Sequence, residues 1–174
     1  MAWEMQILSE LLCKEGAMNS DDGLIKDKHL LIAVDETESS RRAVSYVAEF
    51  LGGLNGFRVT LMSVIPEPEE DFFDNNAHMD ARIKDKTDVT NAMLEKYSKV
   101  LIQSGFPEEK VRYHTSVGQA KVYSQGILEA RSNLSCCTIV VGSRHKSKSE
   151  EFLYGSTSSK LIHDARNCSV WVVE

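Results

Sequence analysis

The sequence predicts an α/β domain, a doubly wound parallel sheet of five strands with helices on both faces. Two patterns carry this. Residues 30–34 (LLIAV) and 138–141 (TIVV) are short, continuously apolar runs, as expected of strands buried on both faces of a parallel sheet. Between the strand-like runs lie segments with helical spacing of apolar residues, each long enough for the right-handed crossover that parallel neighbours require. The composition agrees: 174 residues, 42% hydrophobic and 26% charged, supply one ordinary core and exclude a disordered or multi-domain reading.

The elements follow in chain order. Besides 30–34 and 138–141, strands are expected at 58–65 (RVTLMSVI), 111–117 (VRYHTSV) and 169–173 (SVWVV), where β-branched and aromatic residues concentrate. A helix over 39–51 repeats Ala43, Val44, Val47, Ala48 and Leu51 on one face. A second, over 87–104, repeats Val89, Met93, Leu94, Tyr97, Leu101 and Ile102. Helices over 118–133 and 156–166 complete the βαβαβαβαβ order.

Two segments stand outside this alternation. Residues 1–17 place Trp3, Ile7, Leu8, Leu11 and Leu12 on one face, which reads as an extra N-terminal amphipathic helix, joined by a polar linker to a domain spanning 28–174. That face packs on its own domain or dimer mate, or docks an unknown protein partner through residues 1–17. Residues 66–80 carry Glu67, Glu69, Glu70, Asp71 and Asp74 and read as a solvated acidic loop, pinned by Phe72 and Phe73.

Charge and cysteine usage narrow the function classes. Twenty Lys and Arg against 26 Asp and Glu give a net charge of −6, which lacks the basic field that pairs with nucleic-acid phosphates. No nucleic acid and no membrane are expected as partners, since no apolar stretch approaches a spanning helix. Glu4 and Glu10 stand where a signal peptide would be apolar, so the expected location is cytoplasmic. Cys13, Cys136, Cys137 and Cys168 have no metal-ligand spacing and read as reduced thiols. His29, His78, His114 and His163 are scattered and are given structural or surface roles.

Ligands of open α/β sheets bind at the carboxyl ends of the strands, beside the topological switch point. The first strand ends at Asp35, in VDETESS, where a carboxylate can accept from an amine or hydroxyl while Ser39 caps the next helix. The loop after the fourth strand, 142–159, reads GSRHKSKSEEFLYGSTSS. Gly142 permits close backbone approach, and Arg144, Lys146 and Lys148 gather positive charge. Gly155, Ser156 and Thr157 open a helix with free N–H groups and hydroxyls, an arrangement suited to phosphate. The same loop nearly spells a P-loop, but Ser147 replaces its second glycine, and five residues separate Ser149 from the Gly155–Ser156 turn.

These residues resemble the universal stress protein family, whose motif G-x2-G-x9-G-[S/T] follows the fourth strand. Gly142, position 145 and Gly155-Ser156 keep its spacing. The likeness covers about residues 28–174 and implies an adenine nucleotide alpha hydrolase-like fold. It implies an adenine pocket at Ala33, Val34, Asp35 and Val64. Ribose and phosphates would then lie on Val141, Gly142, Arg144, Gly155, Ser156 and Thr157. The departure is His145 at the motif's second glycine, where a Cβ obstructs backbone approach but a protonated imidazole would itself contact phosphate.

Two functions follow from the resemblance. One is binding of ATP or AMP, with Mg²⁺ held mainly through phosphates, as a non-catalytic or very slow conformational switch in the stress response. The other is a nucleotide-free, UspA-like dimeric interaction module whose site has lapsed. No constellation of nucleophile, base and orienting group marks a catalyst. A homodimer is expected through strand 169–173, whose apolar face would otherwise leave an open edge.

Overall fold

The computed structural model describes residues 27–66, 76–118, 123–143 and 156–174, with the backbone alone of Pro66, residues 76–80, Gly118 and Ser156. The apolar run after Asp27 forms the central strand β1 (Lys28–Ala33). Parallel neighbours flank it, β2 (Phe57–Pro66) on one side and β4 (Thr138–Gly142) on the other. Strands β3 (Val111–Gly118) and β5 (Ser169–Val173) form the edges, giving the order β3-β2-β1-β4-β5.

Strand periodicity sends alternate side chains into two separate cores. Leu30, Ile32, Val59, Leu61 and Val140 face helices α1 (Glu38–Leu51) and α2 (Asn76–Gln103), meeting Ala43, Val44, Val47, Leu51, Leu94 and Leu101. Leu31, Met62, Ile139 and Val141 face α3 (Tyr123–Asn133) and α4 (Ser156–Asp164), meeting Ile127 and Leu161. Leu30, Leu31 and Ile32 are all 1% exposed or less, so the middle of β1 has no solvent side. At about 1.5–3 kcal/mol for each buried aliphatic side chain, this strand contributes disproportionately to the core.

The helical face expected for 39–51 is the one buried in α1. Thr37 caps that helix from an extended conformation, φ −81° and ψ 156°. At the far end Gly52 lies against the end of α2, where a Cβ would come within 2.3 Å of the Ala48 carbonyl and 2.4 Å of the Ser104 carbonyl.

Helix boundaries differ from expectation by two residues or more in three places. Helix α2 starts at Asn76 rather than residue 87, so residues 76–80 are helical and not part of the acidic loop. From residue 81 to Val89 few of its side chains are buried, and an apolar stripe signals only helix that packs. Val89, expected on the core face, is 57% exposed. Helix α3 starts at Tyr123, since Gly118 still belongs to β3, and α4 stops at Asp164. The amphipathic segment 1–17, Cys13, and Phe72 and Phe73 lie outside the described residues.

His29 has a defined structural role. Its Nδ1 lies 3.1 Å from the Leu134 carbonyl and its Nε2 lies 2.8 Å from Thr60 Oγ1. The pair of contacts fits a neutral ring that donates to the carbonyl and accepts from the hydroxyl. Burial, reinforced by the Arg58 charge, lowers its pKa to about 4. Cys136, Cys137 and Cys168 are free thiols, and burial pushes Cys136 up to about 12. No helix among the described residues is long and apolar enough to cross a membrane.

Candidate functional site

The strand order places the switch point between β1 and β4: the chain leaves β1 for α1 on one face, and α4, which follows β4, packs on the other. Asp35 follows β1, and its Oδ1 gathers hydrogen bonds from the first turn of α1. Donors are the Thr37 backbone N–H at 3.0 Å, the Thr37 hydroxyl, and the Ser40 hydroxyl at 2.6 Å. Ser40 Oγ accepts in return from the Asp35 backbone N–H at 2.9 Å. A carboxylate at a helix N-terminus also meets the positive end of the helix dipole. Asp35 therefore shapes the turn itself, besides facing the carboxyl edge of the sheet.

Three of the expected base-pocket and motif residues come together. Ala33 is in register with Val141 on β4 and with Met62 on β2, two residues before Val64. Ala33, Val64 and Val141 lie on the same side of the sheet, with Ala33 and Val64 half-buried against the α3/α4 core and Val141 buried in it. Across from Val64 stands Gly126 of α3, where a Cβ would meet Val64 alone among the described residues, at 3.7 Å. Val34 points the other way, 6% exposed in the α1/α2 core, so its backbone alone is available at the edge.

Gly142 approaches closely, as expected, but its neighbour is the protein itself. A Cβ there would lie 2.2 Å from the Ser39 carbonyl oxygen. The next residue, Ser143, is clamped: its N–H donates to the Val173 carbonyl at 2.7 Å, and its carbonyl accepts from Arg42 Nη2 at 3.2 Å. Arg144, His145 and Gly155 lie outside the described residues. Ser156 is the first residue of α4, and Thr157 is half-buried in its first turn.

A cleft of about 460 Å³ that shares Asp35 and Val64 with this pocket opens at the same edge of the sheet, toward α2. It is lined by the Asp35–Thr37 turn, by Ser63, Val64 and Ile65 of β2, and by Asp85, Lys86, Val89, Thr90 and Met93 of α2. Sequence reasoning missed the α2 wall because its charged residues, Asp85 and Lys86, precede the expected helix start and its apolar ones were assigned to the core. Nearby on α2, burial and then the Asp35 charge raise the Tyr97 phenol above its usual range.

Fold and edge geometry together define a doubly wound α/β protein of the kind that binds ligands at the carboxyl ends of its strands. Residues 27–174 match the universal stress protein family, and the chain belongs to it. Among solved structures, the hypothetical protein MJ0577 shares 25% identity at a TM-score of 0.68, over 86% of this chain and 96% of that one. A universal stress protein in complex with cAMP superposes at 0.62 with 15% identity, covering 86% and 98%. The universal stress protein of Archaeoglobus fulgidus in complex with dAMP superposes at 0.56 with 18% identity, covering 87% and 100%. The latter two likenesses establish the fold alone. No curated protein matches the chain.

Proposed function

We propose that the chain is an adenine-nucleotide-binding universal stress protein, in which ATP or AMP acts as a conformational ligand of the loop after β4. The observation that carries this is the apolar floor made by Ala33, Val64 and Val141 on three adjacent strands at the carboxyl edge, facing Gly126. Such a floor suits a planar base, and two structural neighbours are nucleotide complexes, with cAMP and with dAMP. Asp35 would stand at the base, while Arg144, His145, Gly155, Ser156 and Thr157 would take the ribose and phosphates at the N-terminus of α4. Mg²⁺ would arrive with ATP, held mainly by phosphate oxygens. The reading assigns no catalytic residue.

Isothermal titration with ATP and Mg²⁺, after denaturing the protein to release co-purified nucleotide, tests it. Micromolar affinity or released nucleotide is expected; neither, at millimolar ATP, overturns it. One observation favours the second reading, a nucleotide-free dimeric interaction module. Asp35 and Gly142 both have structural duties that account for their identity without a ligand.

Both readings include a homodimer through β5. That strand is a sheet edge whose side chains from Val170 to Val173 are half-buried, beside a group formed by Tyr46, Phe50 and Trp171. Tyr46 and Phe50 stack at 5.6 Å, and both are exposed. A second copy would cover the open edge and these rings together. Light scattering at micromolar concentration is expected to exceed the monomer mass of 19.5 kDa.

A further inference from the structure

The rings beside β5 belong to a larger apolar patch on the outer side of α1. Tyr46 and Phe50, one turn apart, are 44% and 58% exposed, and they meet Trp171 edge-on at 6.3 and 6.2 Å. Leu54, in the turn that follows the helix, is 51% exposed. The inner face of the same helix, from Ala43 to Leu51, is already buried in the core, so the outer residues form a second apolar surface of their own. An exposed aromatic group of this kind marks a surface that another segment or molecule covers.

The chain enters the sheet close to this patch. Asp27, the first described residue, is held by Lys110 at 2.9 Å, and the Lys28 N–H donates to the carbonyl of Gly56 at 2.7 Å, just past Leu54. Upstream, the sequence of residues 1–17 puts Trp3, Ile7, Leu8, Leu11 and Leu12 on one face at helical spacing. Residues 18–26 join that segment to Asp27 and span up to about 30 Å when extended. Two apolar surfaces on so short a tether meet at an effective concentration in the millimolar range, so a modest contact area keeps them together.

From the exposed rings, the place where the chain enters and the length of the tether, we infer that residues 1–17 dock on their own domain. Their apolar face lies along Tyr46, Phe50 and Leu54 and reaches Trp171. A helix of that length measures about 25 Å, more than the stripe from Tyr46 to Leu54 requires. A second copy seated on β5, as proposed above, then closes over the segment as well as the rings. The docking within one chain does not depend on that dimer.

The test uses the full chain with Phe50 replaced by the photoreactive p-benzoylphenylalanine, an exposed position whose exchange leaves the core untouched, in an equal mixture of isotope-labelled and unlabelled protein. After irradiation, peptide mass spectra read which segment the side chain meets and whether both peptides come from one chain. Cross-links to residues 1–17 that join labelled to labelled and unlabelled to unlabelled peptides are expected, and Leu8→Asp with Leu11→Asp should abolish them. Cross-links joining labelled to unlabelled peptides would give the rings to a second copy and overturn the docking. So would cross-links elsewhere, no cross-link, or the same cross-links in the double variant. Light scattering on the same sample separates this from the dimer reading: a monomer with the intrachain cross-link sinks the dimer alone, and a dimer without it sinks the docking alone.

Discussion

Gly142 and Ser39, 103 positions apart in the chain, meet so closely that a Cβ on the glycine would lie 2.2 Å from the serine carbonyl oxygen and 2.3 Å from its carbonyl carbon. The opposing atoms are backbone at the start of α1, so they cannot rotate away as a side chain would. The first glycine of the motif is thus required by the packing of β4 against α1, whatever the loop beyond it binds.

Gly142→Ala should accordingly destabilise the protein without any ligand present. Overpacking a rigid contact costs about 1–3 kcal/mol, and urea unfolding of the nucleotide-free variant should show a loss of that order. A variant that unfolds at the same urea concentration as the parent would contradict the packing role.

Thr37 caps α1 and also donates to Asp35 through both its backbone N–H and its hydroxyl. Thr37→Ala keeps the first of these and loses the cap, with an expected cost of about 1 kcal/mol in unfolding free energy. Thr37→Ser, which retains the hydroxyl, should recover most of it.

Acid should weaken the fold through His29. Its pKa is lowered from 6.5 to about 4 in the folded protein, so the unfolded chain takes up the proton at higher pH than the folded one. Stability from this group is complete above pH 6.5, declines as pH falls toward 4 and is flat below that. The slope within the window is about 1.4 kcal/mol per pH unit at most. Urea unfolding at pH 7.5 and at pH 5, on the parent and on His29→Gln, isolates the contribution as the difference in slope.

Thiol chemistry should separate the neighbouring cysteines. Cys136 is buried, with its pKa pushed to about 12, whereas Cys137 and Cys168 are partly accessible. Brief treatment of native protein with iodoacetamide at pH 8 should leave Cys136 unmodified in peptide mass spectra. Labelling of Cys136 ahead of the other two would show that the sheet opens locally at β4.

The sheet was legible because its evidence is local. LLIAV and TIVV announce burial on both faces, and the face Ala43, Val44, Val47, Ala48 and Leu51 of α1 is the one that packs. What escaped was of two kinds. Residues 81–89 of α2 leave no apolar stripe because they pack against little, so Asp85 and Lys86 could not be placed on a helix, still less on a cleft wall. The other kind is contact between distant segments: Gly142 on Ser39, His29 bridging Thr60 and Leu134, and Ser143 held by Val173 and Arg42. Spacing along the chain has no access to these, and they decide whether Asp35, Gly142 or a histidine is a ligand contact or a structural part.

Helix α2 is continuous in backbone geometry but divided in what holds it. From residue 81 to Val89 its side chains are exposed apart from Ile83 and Thr87, and full burial starts at Leu94. Tertiary packing supplies most helix stability in water, so the two halves should open with very different free energies. Amide hydrogens before Val89 should exchange with deuterium orders of magnitude faster than those around Leu94 and Leu101, within one uninterrupted helix. The wall of the α2 cleft, from Asp85 to Met93, spans that gradient.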